Sequence, residues 1–172
     1  GLKYEAGGGP GLAACSVLIR RLALGPRAVQ GLLDWAVFNV LIGNADAHAK
    51  NLSLLSDREG RRWLAPLYDL VPTVYLPESL VDRTPAIRIG QATRIGQATR
   101  IDRVGVEDWA AFAAAAGYRK PYVLDRVRSL ADAILECLAD TGREIVEQGG
   151  DPERVERVAA AIDSNTRKAG TP

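Results

Sequence analysis

The chain has 172 residues, 47% hydrophobic and 25% charged, and a formal net charge of +1 at neutral pH. That composition describes one globular domain with a real core, and so small a charge provides no field to hold DNA or RNA directly. No apolar run reaches the roughly 18 residues of a membrane span, and no segment resembles a signal peptide, so the expected location is the cytoplasm.

In chain order, a glycine-rich lead is followed by a short helix from Leu12 to Leu24, which Gly25-Pro26 breaks. Arg27 to Ile42 forms a strongly amphipathic helix, because Val29, Leu32, Leu33, Ala36, Val37, Val40 and Leu41 recur every three or four residues. Gly43 stops it and Asn44 opens a loop. Leu52 to Leu55 and Arg61 to Ala65 read as two short strands joined by the polar turn Ser56 to Gly60. Leu70 to Arg103 is irregular, with Pro72, Pro77 and Pro85. Within it, Ile89-Gly90-Gln91-Ala92-Thr93-Arg94 is followed at once by an identical copy, Ile95 to Arg100. Two copies of six residues make no solenoid, and they read as an in-frame duplication in a loop, whose added length costs little closure entropy. Altered substrate access is the functional alternative for a loop placed there.

The remainder is helical. Val106 to Ala116 carries Glu107-Asp108 at its amino end and stops at Gly117, with Trp109 and Phe112 read as core. Pro121 opens a long helix to about Glu147, with Val123, Leu124, Val127, Leu130, Ala131, Ile134, Leu135 and Leu138 on one face and Gly149-Gly150 at its end. Asp151-Pro152 starts a last helix through about Lys168, faced by Val155, Val158, Ala159 and Ile162. Cys15 and Cys137 are too far apart for a metal-type pair and read as buried thiols rather than a disulfide. The fold class is mainly α, with a short β-hairpin beside the candidate site.

The chemistry concentrates in Gly43-Asn44-Ala45-Asp46-Ala47-His48-Ala49-Lys50-Asn51, followed by Tyr68-Asp69. Phosphoryl transfer to a hydroxyl requires a carboxylate that receives the hydroxyl proton, and an asparagine with a second carboxylate that hold Mg²⁺ on the nucleotide phosphates. An Asp46-x4-Asn51 spacing lets the two side chains face one cleft, and the hairpin returns Asp69 to Asn51. The spacing alone is weak, since Asp and Asn also shape turns through local hydrogen bonds. The only histidine of the chain, His48, and the downstream Pro66-Leu67-Tyr68-Asp69 tip the reading towards a kinase-type site.

These residues carry a family resemblance. Val37 to Ser53 resembles the catalytic loop of HipA-like serine/threonine kinases, the toxins of bacterial toxin–antitoxin pairs, and Leu64-Ala65-Pro66-Leu67-Tyr68-Asp69 is similar to that family's metal-binding stretch. Lys3 to Gly11 is similar to its glycine-proline segment, and Asp163-Ser164-Asn165 resembles its final helix. The resemblance implies the helical large lobe of a protein-kinase-like fold over residues 1–172. It implies Asp46 as catalytic base, Asn51 and Asp69 as Mg²⁺ ligands, and His48, Tyr68 and Asp69 as contacts to ATP. For Lys50 a phosphate-facing role and a structural one both stay open. The implied partners are a DNA-binding antitoxin of the HipB type and a protein substrate such as an aminoacyl-tRNA synthetase.

The departures matter equally. The sequence has no glycine-rich phosphate loop followed by a strand lysine, no glutamate to pair with such a lysine, and no methionine. Gly7-Gly8-Gly9-Pro10 is no phosphate cradle, because Pro10 removes a backbone donor. The expectation is a carboxy-terminal lobe whose amino-terminal lobe lies outside this chain, inefficient in catalysis alone. Two rivals remain at this level: a non-catalytic module that binds an antitoxin or another protein, and a small-molecule phosphotransferase.

Overall fold

The computed structural model describes residues 8–86 and 100–170. Five helices and one hairpin make up the architecture: α1 Leu12–Arg21, α2 Pro26–Leu41, β1 Leu54–Ser56, β2 Arg62–Leu64, α3 Val106–Ala116, α4 Lys120–Glu147 and α5 Pro152–Gly170. The mainly helical fold with a small antiparallel hairpin follows the sequence expectation, and α3 matches it residue for residue. None of the described helices is long and apolar enough to cross a membrane.

Helix α2 is the axis. Its sequence is apolar on nearly every side over the second half, and Leu32, Leu33, Trp35, Ala36, Val37, Val40 and Leu41 are all buried. Such a helix must be covered all round, and α1, α4 and α5 supply the cover. Gly25 takes φ +82 and Pro26 sits in the first turn, so the chain bends sharply into a helix start that needs no N–H from proline. A bidentate ion pair joins α2 to α4, with Arg126 Nε 2.6 Å from one oxygen of Asp34 and Nη2 3.0 Å from the other. Both side chains remain partly solvated, so it contributes orientation more than energy.

Helix α3 ends on Gly117 in the left-handed region, φ +72. Its last carbonyls are taken by α1: Ser16 Oγ donates to Ala116 O at 2.7 Å and Arg20 donates to Ala116 O and Gly117 O. Trp109 and Phe112 are core residues, 1% exposed, with rings 6.1 Å apart edge to face. The long α4 buries Val123, Val127, Ala131 and Ile134 as the periodicity predicts, whereas Leu124, Leu130, Leu135 and Leu138 are only half-buried.

Two sequence readings need correction. Helix α5 does not bury its expected apolar face completely: Val155, Val158, Ala159 and Ile162 are half-buried, and its buried residues are Asn165, Thr166 and Ala169. Asn165 Nδ2 donates to Val40 O and Leu41 O at 2.7 and 2.8 Å, and Thr166 Oγ donates to Leu41 O at 3.0 Å. The end of α2 is thus capped from the far end of the chain, satisfying carbonyls that a helix terminus leaves orphaned. Cys137 is exposed and Cys15 half-buried, so the thiols are not both core residues; Cys137 lies on the solvent side of the long amphipathic α4.

The irregular stretch after the hairpin is closed by an ionic knot. Asp102 receives Arg100 and Arg83, Arg100 also reaches Glu78 at 2.6 Å, and Ile101 N–H donates to Arg83 O at 2.9 Å. Arg100, and after it Arg83, hold the Asp102 carboxyl down at about 2, and Arg100 likewise lowers Glu78. The duplicated hexapeptide lies outside the described residues except for Arg100, as does most of the Lys3 to Gly11 segment.

Candidate active site

The loop between α2 and β1 begins at Gly43, whose φ of +73 turns the chain off the helix axis. A Cβ at this position would meet both methyls of Val74 at 2.4 Å, so only glycine lets the segment after Asp69 pack onto the loop. That segment is tied down bond by bond. Gly43 O accepts the N–H groups of Thr73 and Val74 and the Thr73 hydroxyl, while Thr73 Oγ accepts Ala45 N–H at 2.9 Å. Thr73 is 7% exposed, and these bonds are sheltered from water.

The hairpin then does what the sequence suggested. Leu54 faces Leu64, Leu55 faces Trp63 and Ser56 faces Arg62. Its two ends meet: Asn51 Nδ2 donates to the Asp69 carboxylate across 18 residues of chain. Asn51 is buried in a short 3₁₀ turn, Ala49–Asn51, and its Oδ1 accepts His48 N–H at 3.1 Å. Asp69 adopts φ +58, a left-handed backbone that aspartate tolerates better than most residues. Asp46 is exposed on the same loop, and His48 is buried beneath it at 7% exposure. The Tyr68 hydroxyl donates to Lys50 O at 2.8 Å and lies 2.7 Å from Ser53 Oγ, stapling the second arm of the hairpin to the loop.

Of the predicted site residues, Asn51 and Asp69 are brought into direct contact. Tyr68 is joined to the same loop through its hydroxyl, with its ring exposed. Sequence reasoning missed Asn39, Asn44 and Thr73, all buried and all hydrogen-bonded at this junction. One signal was available: Asn39 is a polar residue inside the otherwise apolar run Trp35 to Leu41. It also missed an apolar hollow of about 300 Å³ lined by Pro10, Ala14 and Leu18 on one side and Ala49, Leu52 and Leu64 on the other. The hollow opens where α1 meets the hairpin, next to the residues that follow Asn51.

A carboxamide in contact with a carboxylate, an exposed carboxylate on the same loop and an adjacent apolar hollow are features that phosphotransfer uses. Among the described residues no group of three His, Cys, Asp or Glu side chains is placed to hold a metal.

Known proteins agree with this reading at family level. Residues 1–139 match the HipA-like C-terminal domain. The chain is 37% identical over 161 residues to the kinase-named protein Y4mE of Sinorhizobium fredii, covering 93% of this chain and 36% of that protein. It is 52% identical over 44 residues to the serine/threonine-protein kinase toxin HipA of Shewanella oneidensis, covering 26% of this chain and 10% of the toxin. The solved complex of Shewanella oneidensis HipA with HipB and operator DNA superposes on 94% of this chain and 36% of its own with a TM-score of 0.75, at 22% identity. The chain thus spans about a third of the length of Y4mE and of the HipA chain in that complex. With a matching domain over most of its length and a fold shared with HipA, this chain belongs to the HipA-like C-terminal domain family.

Proposed function

We propose that this chain is the catalytic-loop lobe of a serine/threonine protein kinase, which moves the γ-phosphoryl group of ATP to a protein hydroxyl. The observation that carries this reading is the meeting of Asn51 and Asp69 across the hairpin, on a loop that also exposes Asp46. Phosphoryl transfer asks the protein for positioning and electrostatics rather than covalent chemistry. Asp46 accepts the hydrogen of the acceptor hydroxyl and aims its oxygen at the phosphorus. Asn51 Oδ1 keeps a lone pair beyond the one that takes His48 N–H, and the Asp69 carboxylate keeps an oxygen beyond the one bonded to Asn51. Those two oxygens would hold Mg²⁺, which when bound would draw charge from the phosphate oxygens. The apolar hollow takes the flat base of the nucleotide between α1 and the hairpin and keeps water from that side. His48 and Tyr68 contact the nucleotide from the loop and the hairpin arm, outside the hollow.

On this reading the glycine-rich phosphate loop and its strand lysine belong to an amino-terminal lobe outside these 172 residues. The regulatory partner is a DNA-binding antitoxin of the HipB type, supported by the likeness to the HipA–HipB–operator complex. The acceptor is a protein of translation such as an aminoacyl-tRNA synthetase, and the setting is the cytoplasm. The test is Asp46→Asn in the full-length protein, assayed for transfer of labelled phosphate from ATP to protein. Transfer is lost while the thermal midpoint stays, since Asp46 is exposed; near-normal transfer would remove Asp46 from the role of base.

A further inference from the structure

Asn44 stands between the two carboxylates that the proposed function uses. It is 3% exposed, and its Oδ1 accepts the backbone N–H of Asp46 at 3.1 Å. Its Nδ2 donates to the backbone carbonyl of Asp69 at 3.1 Å and to Asn39 Oδ1 at 2.7 Å. Asn39, itself 2% exposed, donates to Trp35 O within α2 at 2.8 Å. A buried relay of two carboxamides therefore runs from the core helix to the main chain of Asp46 and of Asp69.

We infer that Asn44 is a positioning residue that fixes the distance between the proton-accepting carboxylate of Asp46 and the metal-side carboxylate of Asp69. This rests on the kinase reading above and deepens it. Both aspartates are exposed, so burial does not fix them, and the position of each main chain sets where its carboxylate starts; Asn51 holds the Asp69 carboxylate as well. Asp69 in addition holds a left-handed conformation, which persists only where its surroundings impose it. The bonds of Thr73 to Gly43 and Ala45 hold the same junction on either side of Asn44, while Asn44 bonds to the main chain of Asp69 and Asn51 to its carboxylate. A carboxamide is needed because one end must accept and the other must donate; aspartate lacks the donor and leucine lacks both.

The test uses the full-length protein with Asn44→Ala and Asn44→Asp, and Val127→Ala in the core of α4 as a control that lowers stability alone. For each, kcat, the nucleotide KM, the Mg²⁺ concentration giving half the maximal rate, and the thermal midpoint are measured well below unfolding. The Asn44 variants lower kcat by on the order of tenfold or more and raise the half-saturating Mg²⁺ several-fold, whereas Val127→Ala changes neither. Asn44→Asp keeps the shape and the acceptor towards Asp46, and it decides the matter where the alanine variant does not fold. A folded Asn44 variant with kcat and Mg²⁺ dependence within about twofold of wild type overturns the inference. Failure of the kinase reading looks different: the wild-type full-length protein would then show no phosphoryl transfer, or Asp46→Asn and Asp69→Asn would leave that transfer intact.

Discussion

The junction at residues 39–74 and the packing of α3 on α4 are held together by different forces. The α3–α4 packing rests on apolar contact: Phe112, Val123 and Val127 are all at most 1% exposed and none has a polar side-chain group to satisfy. The junction rests on directed hydrogen bonds among buried polar groups, from Asn39 through Asn44 and Thr73 to Asp69. Apolar burial is non-directional, whereas a hydrogen bond fixes distance and direction. The region proposed to hold reacting groups is built from the second kind, and the α3–α4 packing, to which no site residue is assigned, from the first.

The comparison breaks if the two regions fail to separate under mutation. Asp69→Asn should lower phosphoryl transfer by at least about 10³-fold in the full-length protein, with stability changed by less than about 1 kcal/mol, because Asp69 is exposed. Rate assays beside thermal unfolding read both effects, and a large stability loss would mean that the site also supports the fold. Phe112→Ala should do the reverse. It removes a ring packed 6.1 Å from Trp109 and 5.6 Å from Tyr118, costing about 3–5 kcal/mol by denaturant titration, with KM values unchanged in the folded fraction.

Asn165→Ala sharpens the boundary between the regions. It strips Val40 O of its side-chain donor and leaves Leu41 O with Thr166 alone, at the helix end that leads into Gly43. The expected loss is about 1–3 kcal/mol, with faster amide exchange at the end of α2. The smallest effect belongs to the ionic knot around Asp102. Its carboxyl is held near 2 against an ordinary value of 3.8, chiefly by Arg100. A lowered folded-state value means that this contribution is complete above about pH 4 and is lost as pH falls towards 2. With solvent screening it amounts to about 1 kcal/mol, and Asp102→Asn should flatten the acid limb of the stability curve between those values.

The same contrast explains what the sequence made legible. Helix α3 could be bounded from its acidic start and Gly117, and α2 and α4 from apolar recurrence, because apolar burial leaves a period in the sequence. The hairpin and the return of Asp69 to Asn51 could be read from two short strands around a polar turn. The rest lay in polar residues that pair across long stretches of chain. Asn165 and Thr166 reach residues about 125 positions away, and Thr73 reaches back to Gly43, with no local pattern to announce either. Asn44 looked like a loop opener, and only its three-dimensional partners reveal that it touches both aspartates. The apolar hollow was hidden for a related reason, since its walls come from α1 and from the hairpin, which the chain separates by the whole of α2.

The central claim is that Asn51 and Asp69 together form a metal-assisted nucleotide site. Calorimetric titration of ATP into the full-length protein, with and without Mg²⁺, tests it most directly when wild type and Asp69→Asn are compared. The account predicts that Mg²⁺ strengthens ATP binding in the wild type and that this gain disappears in Asp69→Asn. An equal Mg²⁺ effect in both proteins would contradict it.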